Sequence, residues 1–329
     1  MAVALKQDHP DYLMKRSIVI YSLSAFAALA AATYVRVRMS PAYRQRPDQV
    51  VFREPGQRRL GVPRDAATEA SEDLEFALLS QAAYQRTADA KAIQGGVSLD
   101  PDATLESMGW SRWKGFPSGI VKQKVDAAHL RVEVWSNGSR GKVAVAFGGT
   151  VARNIKDWES DLRWFIHYRT DEYTVIVETF GQAFAEEYIR REQDPQMTFL
   201  KSAALFSTGH SLGGGLAHEF AYSLPRADIP RVSKVFAFDP SPVTGYYSIE
   251  KGLRAENSED LLIDRIYERG EILAYFRSLT NFVYPPSAKQ PTIRQVRYNL
   301  FYTHNPFAGH SMASFAMKLY EVSKPKPEK

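Results

Sequence analysis

The chain has 329 residues, enough to bury a large core, and its 44% hydrophobic, 12% aromatic and 24% charged make-up is that of a folded protein. It contains no cysteine, which excludes disulfides, zinc–thiolate sites and a cysteine nucleophile. The net charge of +5 is concentrated near the N-terminus, where eight arginines between Arg36 and Arg64 face only Asp48 and Glu54. Such a patch attracts anionic partners. Because it directly follows an apolar segment, a bilayer surface is the expected one and nucleic acid is not.

Residues 1–16 form a polar tail, and residues 17–35 (SIVIYSLSAFAALAAATYV) carry no charge between Lys15-Arg16 and Arg36. A helix of that length spans roughly 28 Å, close to the hydrocarbon thickness of a bilayer. The segment therefore reads as a transmembrane or signal helix, with single-pass membrane attachment expected. The side stays open. The many arginines after the segment favour a cytoplasmic main domain, whereas cleavage near Ala30-Ala31-Ala32 would give a secreted or periplasmic one.

Residues 36–70 are rich in Arg and Pro with few apolar anchors, the signature of a linker. The main domain is expected over 71–320, with a short tail at 321–329. Ser71–Arg86 opens like a helix: Ser71 is placed to cap it, acids fill the first turn, and Leu74, Ala77, Leu78 and Ala82 recur at helical spacing. LRVEVWS and KVAVAFGGT flank Asn137-Gly138, the pattern of a hairpin. Glu178–Arg191 is helical in composition. Short apolar runs follow, each ending at a polar or glycine-rich turn: AALFSTGHS, KVFAFDP, LLIDRIYERGE and IRQVRYNLF. Strands interleaved with helices imply an α/β fold, with a mostly parallel sheet covered by helices on both faces.

The strongest chemical signal is Gly209-His210-Ser211-Leu212-Gly213, which satisfies G-x-S-x-G between an apolar run and a helix-like stretch. A serine on that sharp turn projects its hydroxyl, and the helix N-terminus behind it favours developing negative charge. A serine nucleophile needs a base held by an acid. In α/β hydrolases the order is Ser, acid, His, which leaves His304 and His310. His310 is preferred, since Ala308-Gly309-His310-Ser311 leads directly into an amphipathic helix; the competing reading is that it only caps that helix. Two acids end strands at the ligand-binding edge, Asp239 after KVFAFDP's Phe238 and Glu271 after LLIDRIYERG. The oxyanion hole is assigned to the Leu212 backbone N–H and to Thr150 at the end of VAVAFGGT.

Taken together these motifs resemble the class 3 (fungal-type) lipases of the α/β-hydrolase superfamily. AFGGT is similar to the family's oxyanion segment, with Gly148 where arginine is usual. Asp157-Trp158-Glu159-Ser160-Asp161-Leu162 looks like the Trp-x-x-Asp-Leu stretch, TGHSLGGGLA like the elbow, and AGHSMASFAMKLY like the terminal histidine segment. The resemblance implies an α/β-hydrolase fold over roughly 72–320. It also implies a carboxylic ester hydrolase of triacylglycerol lipase or phospholipase type. The reaction would pass through an acyl-enzyme and need no cofactor or metal. It favours Glu271 as the acid, glutamate standing for the usual aspartate, while Phe238-Asp239-Pro240 keeps Asp239 as the alternative. Residues 161–173 (DLRWFIHYRTDEY) are either a lid or core aromatics. The substrate expected is a lipid or other acyl ester. The alternatives are a carboxylesterase or thioesterase on small soluble esters, and an inactive scaffold serving as a membrane-tethered binding module.

Overall fold

Runs such as VAVAF and VFAF are apolar at every position, as expected of strands when helices cover both faces of a sheet. The computed structural model describes residues 46–84, 93–94, 97–149, 170–271, 286–301 and 308–324, all within the unit Arg46–Lys329. Among them, nine strands form the main sheet: β1 (Gln49–Arg53), β2 (Arg64–Asp65), β3 (Ser111–Arg112), β4 (Val132–Asn137), β5 (Lys142–Phe147), β6 (Ala204–His210), β7 (Val232–Phe238), β8 (Leu262–Glu268) and β9 (Thr292–Asn299). Their order is β2-β1-β9-β8-β7-β6-β5-β4-β3. The five strands β5 to β9 run parallel to one another, and antiparallel strands extend both edges.

Alternation along each strand splits the core into two layers. Ala144, Ala146, Phe236 and Phe238 face α1 (Ala67–Ala82) and the terminal α4 (Met312–Ser323). Val143, Val145, Phe147, Val235 and Ala237 face α2 (Gly181–Glu192) and α3 (Leu212–Ser223). The expected α/β architecture is therefore present, with the carboxyl ends of β5 to β8 side by side.

Four local readings need adjustment. First, the folded unit reaches into the stretch read as a linker, because Val50, Val51 and Phe52 are buried and β1 pairs with β9. Second, α1 starts at Ala67, where Asp65 Oδ1 accepts from the Ala67 N–H at 2.9 Å. Ser71 lies inside the helix, and its capping chemistry is not used. Third, the β4–β5 connection is not a two-residue turn. Asn137 accepts from the Arg140 N–H at 3.2 Å, closing a short 3-10 turn, and the left-handed position falls at Gly141. Fourth, the helix expected from Glu178 begins at Thr170 and continues through a π turn, Ile176–Phe180, into α2. Residues 17–35 and the tail 1–16 lie outside the described residues, as do 325–329. No helix among the described residues is long and apolar enough to cross a membrane.

Candidate active site

The sheet brings the chemistry to one edge. Ser211 follows β6 directly and precedes α3, with φ 57° and ψ −120°, a conformation that costs a non-glycine residue energy. Three backbone bonds hold it there: its N–H donates to Phe238 O at 2.9 Å, and its carbonyl accepts from Gly214 N at 3.1 Å and Ser241 N at 2.9 Å. The hydroxyl makes no capping bond to α3, and the N-terminus of that 12-residue helix starts at Leu212. Gly213 is required by packing, since a Cβ there would overlap Phe147 O at the end of β5. The Leu212 N–H thus lies in the first turn of α3, at the positive end of the helix dipole.

The next strand, β5, ends against the same point. A Cβ on Gly149 would come within 3.4 Å of Ser211 Cβ and 2.6 Å of both His210 O and Tyr84 Oη. A Cβ on Gly148 would sit 2.6 Å from Ala83 O and 2.9 Å from Arg131 Cβ. The end of α1 therefore occupies the space that a side chain at position 148 would need. Arg131 approaches instead from β4's leading edge, donating to Gly149 O at 3.2 Å. Thr150, the expected second oxyanion donor, lies outside the described residues, as does most of the 161–173 segment. Of that segment, Tyr173 lies on the helix Thr170–Val175 and donates to Val243 O at 2.9 Å.

The two acids have different neighbours. Glu271 lies three residues beyond β8, after Gly270 at φ 81°, and is fully buried. Its Oε2 is 3.0 Å from His310 Nδ1. Since a carboxylate only accepts, Nδ1 carries the proton in this contact and Nε2 is the basic edge of the ring. His310 itself is 7% exposed and sits in a 3-10 turn, Ala308–His310. Capping of α4 falls to Ser311, whose Oγ accepts from Ser314 N at 3.3 Å, so His310 is not the helix cap.

Asp239, the alternative acid, faces another histidine. Its Oδ1 accepts from Glu268 N at 3.2 Å, and its Oδ2 lies 3.8 Å from His210 Nε2. His210 Nδ1 is 2.5 Å from Tyr84 Oη, and its ring centroid is 4.7 Å from that of His310. Asp239 is fully buried, with φ 40°. Other histidines and a further buried acid lie elsewhere. His218 is buried in α3 with Nδ1 2.6 Å from Gly214 O, and burial lowers its pKa to about 3, which keeps it neutral. Asp264 is engaged near the start of β8 by Arg294 at 2.6 Å and Lys234 at 3.1 Å. His304 and His167 lie outside the described residues. Tyr84, at the end of α1, carries no motif and pairs with a residue 126 positions away, so no local pattern announces it.

Comparison with known proteins adds a family match. Residues 75–227 match the phospholipase-like family described as the Tle-like phospholipase domain. The chain is similar to the lipase-like α/β hydrolases. The matched segment includes the elbow and ends before Asp239, Glu271 and His310. No curated protein gives a significant match. Among solved structures, a fungal lipase–inhibitor complex is 18% identical over 66% of this chain and 74% of its own, with a TM-score of 0.39. A Rhizomucor miehei lipase–propeptide complex is 16% identical over 71% of this chain and 66% of its own, at 0.39. A triacylglycerol lipase described as having a serine-protease triad is 17% identical over 70% and 78%, at 0.42.

Proposed function

We propose that this protein is a lipase-like serine hydrolase that cleaves carboxylic esters of lipids, an acylglycerol or phospholipid, through an acyl-enzyme. The observation that carries the reading is the buried His310 Nδ1–Glu271 Oε2 contact at the same sheet edge as Ser211 on its strained turn. In this reading Ser211 Oγ attacks the ester carbonyl and His310 Nε2 takes the hydroxyl proton. Glu271 holds the ring in the productive tautomer and stabilises the imidazolium. The Leu212 N–H and Thr150 receive the oxyanion. When the tetrahedral species collapses, the C–O bond to the alcohol breaks and His310 returns the proton to the leaving oxygen. Water, activated by the same histidine, then releases the acid and regenerates Ser211.

The lipid part of the proposal rests on the phospholipase-like match over 75–227 and on the basic stretch beside the apolar segment 17–35. In that arrangement a single-pass tether would keep the catalytic unit at a bilayer. A series of p-nitrophenyl esters, followed by phospholipid and acylglycerol vesicles, tests it. Turnover that rises with acyl length and extends to vesicles is expected; activity confined to short soluble esters would contradict the lipid assignment and favour a carboxylesterase.

A further inference from the structure

His210, Asp239 and His310 form a cluster the hydrolytic scheme uses only at His310. Each offers a ligating atom, and these atoms lie within 4.8 Å of one another with all three residues buried. We propose that the three side chains bind a divalent transition-metal ion such as Zn²⁺, and that the bound ion shuts the enzyme off by taking the His310 ring. The effect on rate rests on the catalytic reading above; the binding itself does not.

Two imidazoles and a carboxylate are a donor set that favours Zn²⁺, Co²⁺ or Cu²⁺ over Mg²⁺ and Ca²⁺. Bonds of 2.0–2.1 Å in a tetrahedral site put ligand atoms about 3.3 Å apart. His210 Nε2 and Asp239 Oδ2 are 3.8 Å apart and the three ligating atoms lie within 4.8 Å of one another, so the side chains must draw together to hold an ion. The decisive feature is the support behind each ligand. Metal-binding histidines use their second ring nitrogen in an orienting hydrogen bond, and ligating carboxylates are similarly held. Here Tyr84 Oη engages His210 Nδ1, Glu271 engages His310 Nδ1, and the Glu268 N–H engages Asp239 Oδ1. Each of the three side chains thus has an outer partner of the kind that holds a metal ligand in place.

Occupancy and catalysis are mutually exclusive in this arrangement, because the metal ligates His310 through Nε2, the atom that must accept the Ser211 proton. Zinc therefore acts as an inhibitor reversed by chelators.

The test is a Co²⁺ titration of the metal-free full chain, read by visible absorption of the bound ion. Wild type and Ser211→Ala are expected to give the intense spectrum of a tetrahedral site with one equivalent bound. Tyr84→Phe should weaken binding about 10–100-fold, as losing an outer partner does. His210→Gln and Asp239→Asn should weaken it further. Zn²⁺ should displace Co²⁺ and abolish ester hydrolysis, while excess Mg²⁺ does neither. Thermal melts establish that each variant is folded; if His210→Gln is not, Tyr84→Phe carries the comparison. No spectrum in folded wild type, or an unchanged affinity in the folded variants, overturns the metal site. Co²⁺ binding without any hydrolysis in the metal-free chain would overturn the catalytic reading and leave the metal site standing.

Discussion

Replacing Glu271 by Gln isolates the choice between the two buried acids. The substitution keeps the side chain's size and removes its charge, 3.0 Å from His310 Nδ1. When His310 becomes an imidazolium, the charge centres are about 4 Å apart, worth roughly 4 kcal/mol at an effective dielectric of about 20. Each 1.36 kcal/mol is a factor of ten in rate, so about a thousandfold of transition-state stabilisation is lost. A glutamine also presents an N–H donor to Nδ1, which favours the wrong tautomer and adds to the loss. We expect kcat on a p-nitrophenyl ester to fall by about 10³–10⁴, the range seen when a triad carboxylate becomes an amide. Asp239→Asn, which retains an acceptor for the Glu268 N–H and faces His210, should cost less than about tenfold with a chelator present. An Asp239→Asn enzyme as impaired as Glu271→Gln would refute this assignment, as would a Glu271→Gln enzyme within tenfold of wild type.

Two further predictions concern the frame. Gly148→Ala places a Cβ 2.6 Å from Ala83 O and should destabilise by about 1–3 kcal/mol, lowering Tm by several degrees in a thermal melt; an unchanged Tm would contradict the close approach of α1. Glu219 is buried in α3, and burial raises its carboxyl to about 8, although Ser248 donates to it. Between the unfolded pKa near 4.5 and about 8 the unfolded chain ionises this group while the fold keeps it protonated, so its contribution to stability declines as pH rises through that window. Glu219→Gln should remove that decline, making urea midpoints at pH 5 and pH 8 more alike than in wild type; an unaltered pH dependence would show that Glu219 is ionised in the fold.

The elbow was legible because its chemistry is local: glycines two residues either side of Ser211 signal a strand folding onto a helix, and Gly213 lies against β5 as that requires. The strands β5 and β7 were legible for a similar reason, VAVAF and VFAF being continuous apolar runs. Legibility stopped where contacts span the chain. Asp239 and Glu271 both end strands, and only the three-residue extension past β8, turning at Gly270, brings the second one to His310. Tyr84 belongs to the His210 environment through a contact no spacing rule encodes. The Arg- and Pro-rich segment hid β1, because three apolar residues between polar ones read as linker until the edge of β9 supplies their partner. The start of α1 at Ala67, with Asp65 accepting from its N–H, was hidden because Ser71 and its following acids make a stronger local pattern.

The central claim is that Ser211 is a nucleophile activated by His310. Incubating the folded chain with a fluorophosphonate probe and mapping the adduct by peptide mass tests it most directly. The account predicts a single adduct on Ser211, formed rapidly in wild type and lost in His310→Ala. Folded protein that takes no label, or takes it at another residue, would contradict it.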